Sequence, residues 1–103
     1  MINPNQIELL KRNWGEKADA LDCFAYVRLF DHLSNWQCYL FAISDDELVA
    51  KAAFHTPALG LQIDTITIQE LSTMYNSEGE APLIDEEFRP QHITRIIKRL
   101  KRD

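Results

Sequence analysis

Residues 22–44 read DCFAYVRLFDHLSNWQCYLFAIS: two apolar runs, Cys23 to Phe30 and Trp36 to Ile43, around the polar break Asp31-His32-Leu33-Ser34-Asn35. Runs rich in aromatic and β-branched residues separated by a short loop read as a β-hairpin. A sheet with one wet face alternates apolar with polar residues, whereas this ribbon is apolar on both faces, so it is expected to be covered above and below. Symmetric closure about the break pairs Phe30 with Trp36 and Arg28 with Cys38. That register puts Phe24, Tyr26, Phe30, Trp36 and Leu40 on one face with Arg28, and Val27, Leu29, Tyr39, Phe41 and Ile43 on the other. It also sends Cys23 and Cys38 to opposite faces, where no disulfide can form, although a slip of one residue would reverse the parity. The expectation is two reduced, buried thiols in a reducing compartment.

Elements flank the hairpin on both sides. Asn3-Pro4 opens an amphipathic helix: Asn3 can cap the first amides, Pro4 fits a position that needs no N–H, Ile7, Leu10 and Trp14 recur at helical spacing, and Gly15 ends it. After the turn Ser44-Asp45-Asp46-Glu47 come two further strand candidates, Leu48 to Phe54 and Leu61 to Ile66. Thr67 then caps a short helix from Ile68 to about Tyr75, with Glu70 placed for a capping box. Asn76 to Pro82 has the composition of a surface loop, and Leu83-Ile84 would add a brief edge strand. Arg89-Pro90 opens a last helix whose Ile93, Ile96, Ile97 and Leu100 form a buried stripe. The chain is expected to be one α+β domain over residues 1–103, an antiparallel meander of about four strands with N-terminal and C-terminal amphipathic helices.

At 103 residues, 46% apolar and 26% charged, the chain has the balance of a globular domain with one ordinary core. Its apolar runs are too short to span a bilayer, and the amphipathic N-terminal stretch lacks the build of a signal peptide, so a cytoplasmic location and no membrane partner are expected. The net charge of −5 disfavours nucleic acid as a partner. Yet the charges are segregated, with Glu78, Glu80, Asp85, Glu86 and Glu87 in one block and Arg89, Arg95, Lys98, Arg99, Lys101 and Arg102 in the tail.

No constellation demands a chemistry. His32, His55 and His92 lie on different elements without metal-ligand spacing, the three glycines are isolated, and Asp45-Asp46-Glu47 lacks a calcium-loop pattern, so neither a metal nor another cofactor is expected. The cysteines sit in apolar runs, the wrong setting for an activated thiolate. Asp31-His32 with His55 is the one set from which an enzyme site could be drawn, and adjacent loop residues more often cap the turn. The candidate interaction residues are therefore Arg28, Trp36, Tyr39, Asp45, Asp46, Arg95, Lys98, Arg99 and Arg102. Of these, Arg28 can stack on Trp36 or Phe30, reach solvent or bind an anion.

Phe30-Asp31, Asn35-Trp36-x-x-Tyr39, Thr67-Ile68-Gln69-Glu70-Leu71 and Ile84-Asp85-Glu86-Glu87-Phe88-x-Pro90 resemble a family of small bacterial proteins of unknown function carried by plasmids and integrated mobile elements. That family has the hairpin F-D-P-x-x-x-W-x-W-Y and the closing motif I-E-R-D-x-x-F-x-P. The similarity runs over residues 24 to 93; His32 replaces its proline and Cys38 its second tryptophan. The resemblance implies an accessory protein of a mobile element acting in the cytoplasm, and brings no catalytic residues. The leading reading is a non-enzymatic protein-interaction module, an accessory or anti-defence protein with an unidentified protein partner. The alternatives are a nucleic-acid-binding protein using the basic C-terminal helix and an enzyme near Asp31, His32 and His55. An unpaired sheet edge would support a homodimer.

Overall fold

The computed structural model describes residues 2–102. Helix α1 (Pro4–Asn13) starts as its sequence dictates: Asn3 Oδ1 accepts from the Gln6 amide at 2.8 Å, and the Gln6 side chain accepts from the Asn3 amide at 3.1 Å. Gly15, at φ 101°, turns the chain into a four-residue helix α2 (Glu16–Asp19) that the sequence does not signal. There follow β1 (Phe24–Ala25), β2 (Val27–Phe30), β3 (Gln37–Ile43), β4 (Val49–Thr56), β5 (Gly60–Thr67), α3 (Ile68–Ser72), β6 (Leu83–Ile84), β7 (Gln91–His92) and α4 (Ile93–Arg102).

The architecture is α+β with antiparallel pairing throughout, but it departs from a four-strand meander. The main sheet has five strands in the order β5-β4-β3-β2-β6, and β1 pairs with β7 as a separate two-stranded ribbon. β6 is the brief edge strand expected at Leu83-Ile84, whereas the two-residue β7 leaves no periodic trace in a sequence. The final helix begins at Ile93 rather than at Arg89-Pro90, because Gln91 and His92 are taken up by pairing with Ala25 and Phe24. Helix α3 stops at Ser72 rather than near Tyr75: Thr73 closes it, its amide donating to the carbonyls of Gln69 and Glu70.

The hairpin register is one residue away from symmetric. The Asp31 amide donates to the Trp36 carbonyl at 3.0 Å and Asn35 sits at φ 56°, so Trp36 belongs to the turn, and Phe30 pairs with Gln37 and Arg28 with Tyr39. Every side chain of β3 therefore lies on the opposite face, relative to β2, from that expected. Val27, Leu29, Cys38 and Leu40 share one face; Arg28, Phe30, Gln37 and Tyr39 share the other. A second irregularity sits at Tyr26, whose amide reaches the Leu40 carbonyl at 3.1 Å although Val27 already pairs with Leu40. Two residues facing one is a bulge, and it turns β1 away from the main sheet. Cys23 and Cys38 thus still belong to different apolar clusters, because the two departures cancel.

Both faces are roofed. On one, Leu10 of α1 and Leu71 of α3 pack on Val27, Leu29, Cys38, Leu40, Ala50 and Ala52. On the other, Ile93, Ile96 and Leu100 of α4 pack with Ala18 on Tyr39, Phe41, Ala42 and Ala53. The small alanines of β4 let the helices approach closely, and each large buried side chain such as Phe41 contributes roughly 1.5–3 kcal/mol of burial. β3 carries its own bulge between Leu40 and Ala42, so that Phe41 and Ala42 both enter the α4 side.

β5 is the long open edge. The Ile68 amide donates to the Leu48 carbonyl at 2.9 Å in continuation of the Val49–Thr67 register, so the odd residues Leu61, Ile63 and Thr65 aim their backbone groups away from β4. Two of the outward amides are covered locally: Thr65 donates to Asp64 Oδ1 at 2.7 Å, and Thr67 to Glu70 Oε1 at 3.3 Å.

Candidate functional site

At one end of the sheet three connections converge: the β2–β3 loop, the β4–β5 turn and the segment between α3 and β6. Between them lies a cleft of about 640 Å³ whose walls include Leu33, Trp36, Pro57, Leu59, Met74 and Tyr75. Leu59 is 69% exposed and Tyr75 62%, with Leu33 and Met74 also open to solvent. Trp36 is anchored from behind by Phe54, ring centroids 6.2 Å apart. Exposed apolar residues gathered around one concavity differ from the scattered singletons of an ordinary surface.

The loops that form the cleft are rigidly framed. Asp31 Oδ2 accepts from the Ser34 hydroxyl at 2.6 Å, while Oδ1 accepts from the Leu33 amide at 3.3 Å and from Asn76 Nδ2 at 2.8 Å. These bonds to Ser34, Asn76 and Leu33 hold the Asp31 carboxyl below the usual carboxylate range. Asn76 in turn organises its own loop, its side-chain oxygen accepting from the Glu78 and Glu80 amides at 2.9 and 3.0 Å. Gly79, at φ 77°, permits that tight return. Across the rim His32 Nε2 lies 3.5 Å from Glu80 Oε1. Asp31 is thus a tie between two loops with both oxygens engaged.

Arg28, Tyr39 and Arg99 meet on the α4 side of the sheet. Arg28 Nη1 lies 3.0 Å from Asp85 Oδ2, its Nε donates to Gln37 Oε1 at 3.2 Å and to the Tyr39 hydroxyl at 3.3 Å, and its guanidinium sits 5.0 Å from the Phe30 ring centre. Arg99 donates to the same hydroxyl at 3.3 Å and to Gln91 at 3.4 Å. The hydroxyl itself donates to Gln37 Oε1 at 2.7 Å.

The remaining sequence candidates fall elsewhere. Arg95, Lys98 and Arg102 lie on the outer face of α4, exposed, and among the described residues none of them forms an ion pair. Among the described residues no ion pair joins the acidic block to the basic tail; Asp85 turns to Arg28 instead. Asp46 closes its turn, accepting from the Ser44 hydroxyl at 2.6 Å and the Leu48 amide at 3.1 Å, which lowers its carboxyl below the usual range, while Asp45 is exposed beside it. His55 lies beside Leu61, Leu100 and Lys101, its Nδ1 buried without a hydrogen-bond partner among the described residues. No hydrogen bond joins Asp31 or His32 to His55 among the described residues. Burial pushes the Cys23 thiol up to about 11 and raises Cys38 as well, leaving neither as a ready nucleophile. No group of three or more His, Cys, Asp or Glu side chains among the described residues is arranged to hold a metal ion, and no described helix is long and apolar enough to cross a membrane.

Of the cleft, Trp36 is among the sequence's interaction candidates and Asp31 among those of the alternative enzyme site. Leu33 and Leu59 carry one signal, that each is a large apolar residue in a loop, whereas Met74 and Tyr75 fall within the expected short helix and give none. No family model matches the chain, and neither a curated protein nor a solved structure matches it.

Proposed function

We propose that this chain is a non-enzymatic protein-interaction module that takes an apolar segment of a protein partner into the cleft at the loop end of its sheet. The observation that carries the reading is the gathering of Leu33, Leu59, Met74 and Tyr75, all exposed, around one cleft framed by the Asp31–Asn76 tie. Pre-organised loops lower the ordering cost of binding, and aromatic side chains backed by a packed core make effective anchors. The acids Glu78 and Glu80 flank the rim, so the segment that fits carries basic residues beside its apolar ones. The resemblance to a family of mobile-element proteins supports a cytoplasmic accessory or anti-defence role, in which an adaptor without chemistry acts by occupying a partner.

A second reading rests on α4, where Arg95, Lys98 and Arg102 recur at i, i+3 and i+7 without carboxylate partners among the described residues. Such a stripe suits a phosphate backbone. One experiment separates the two. A photo-crosslinking residue at Tyr75 is used in the native host, in the wild-type background, in a Leu33→Asp, Leu59→Asp variant and in an Arg95→Glu, Lys98→Glu variant. The cleft reading expects a protein adduct that the first variant loses and the second keeps. An adduct indifferent to the cleft substitutions, or nucleic acid retained only with α4 intact, overturns it.

A further inference from the structure

We infer that Arg28 and Arg99, held against the Tyr39 hydroxyl, form a binding site for a phosphoryl-type oxyanion, separate from the apolar cleft. Two guanidinium groups touch one phenol oxygen, each at 3.3 Å, so their positive charges converge on one spot of an acidic protein. Among the described residues only one carboxylate answers them: Asp85 pairs with Arg28, whereas Arg99 has neutral partners, Tyr39 and Gln91. The cluster therefore holds an excess positive charge.

The arrangement is built before any ligand arrives. Arg28 is fixed by Gln37, Tyr39 and Asp85 and stacked on Phe30, and Gln37 is pinned by accepting from both Arg28 and Tyr39. The Arg28 side chain is nonetheless 25% exposed and Arg99 is exposed, so an anion can reach them from solvent. Each guanidinium has five N–H donors, and the named bonds leave several on each unused. A phosphoryl group presents three acceptor oxygens and close to two negative charges, which suits two guanidiniums arriving from different directions. A carboxylate offers one charge in one plane, which Asp85 already supplies to Arg28.

The test is a titration followed through the arginine Nε–H signals by NMR at constant ionic strength, using inorganic phosphate and phenyl phosphate as probes and chloride as the control. Saturable shifts at Arg28 and Arg99 with either phosphate, absent with chloride, are expected; a tighter response to phenyl phosphate would assign the group to a phosphorylated aromatic side chain and a tighter response to phosphate to a free ion. Arg99→Gln, a change at an exposed helix position, is expected to weaken binding about tenfold, as loss of a charge-assisted partner does. Asp85→Asn is expected to tighten it, because it removes the competing carboxylate. Leu33→Asp, Leu59→Asp in the cleft is expected to leave it unchanged, so this site stands or falls apart from the cleft. Shifts that never saturate, that chloride reproduces, or whose midpoint is unchanged by Arg99→Gln in a folded variant overturn the inference.

Discussion

The side-chain amide of Asn13 donates to the carbonyl of Phe41 at 2.9 Å and, with its second N–H, to the carbonyl of Phe24 at 3.0 Å. The two acceptors lie on either side of a sheet irregularity: Phe41 is the extra residue of the β3 bulge, and Phe24 belongs to the strand that Tyr26 diverts. A bulge leaves backbone groups outside the ladder, and here the last residue of α1 satisfies them. Asn13 is 6% exposed, so water cannot readily replace it.

Asn13→Ala is therefore expected to strand buried carbonyls and to cost about 1–3 kcal/mol. For a domain of this size that is a fall in Tm of roughly 4–8 °C per kcal/mol. Chemical denaturation of the two proteins checks it. An unchanged midpoint would mean that the bulge carbonyls are solvated in the native state.

Acid should weaken the fold through Asp31 and Asp46. Both carboxyls are lowered in the native state, so the bonds to Ser34 and Asn76 for the first, and to Ser44 and Leu48 for the second, contribute fully above the unfolded value near about pH 4. That contribution is lost as pH falls through the lower native values. Melting curves between pH 6 and 2 should show Asp31→Asn with a shallower acid limb than the wild type. Parallel limbs would show that the Asp31 bonds do not favour the ionised form.

Both thiols should resist modification until the chain opens. Cys38 is wholly buried, Cys23 nearly so with its Sγ 3.8 Å from the Phe41 carbonyl, and burial raises the pKa of each, suppressing the thiolate. Labelling by a thiol reagent at neutral pH should be slow in the folded protein and immediate in denaturant, for Cys23→Ser and Cys38→Ser alike. Rapid native labelling of either single-thiol variant would contradict the burial of the thiol that remains.

Asp64 guards the β5 edge, because its carboxylate occupies the Thr65 amide that would otherwise offer itself to another strand. Asp64→Val both frees that amide and removes the one charge from the run Leu61 to Ile66. Sedimentation at rising concentration should show the variant self-associating where the wild type does so less.

What the sequence disclosed was local. The Asn3 cap and the Thr67–Glu70 box are each settled within a few residues. The hairpin was legible but its register was not, because one hydrogen bond from Asp31 to the Trp36 carbonyl moves Trp36 from strand to turn. Features made by distant pairing were silent: β6 joins β2 through Leu29 and Ile84, and Arg28 meets Asp85 across 57 positions. The cleft was invisible for the same reason, since its walls come from three loops that only the sheet order brings together.

The short β6 strand has a thermodynamic corollary. Its pairing with β2 covers only Leu29–Ile84 and Phe30–Leu83, far fewer rungs than the β4–β5 ladder. Of the residues before it, Met74 to Ser77 and Pro82 wall the cleft, and the residue after it, Asp85, grips Arg28. Peeling this one weak stave would unlatch both places in a single sub-global event well below the cost of complete unfolding. Amide hydrogens at Leu83 and Asp85, which alternate toward β2 in this register, should then exchange together and ahead of the meander, and a ligand seated at either place would slow them.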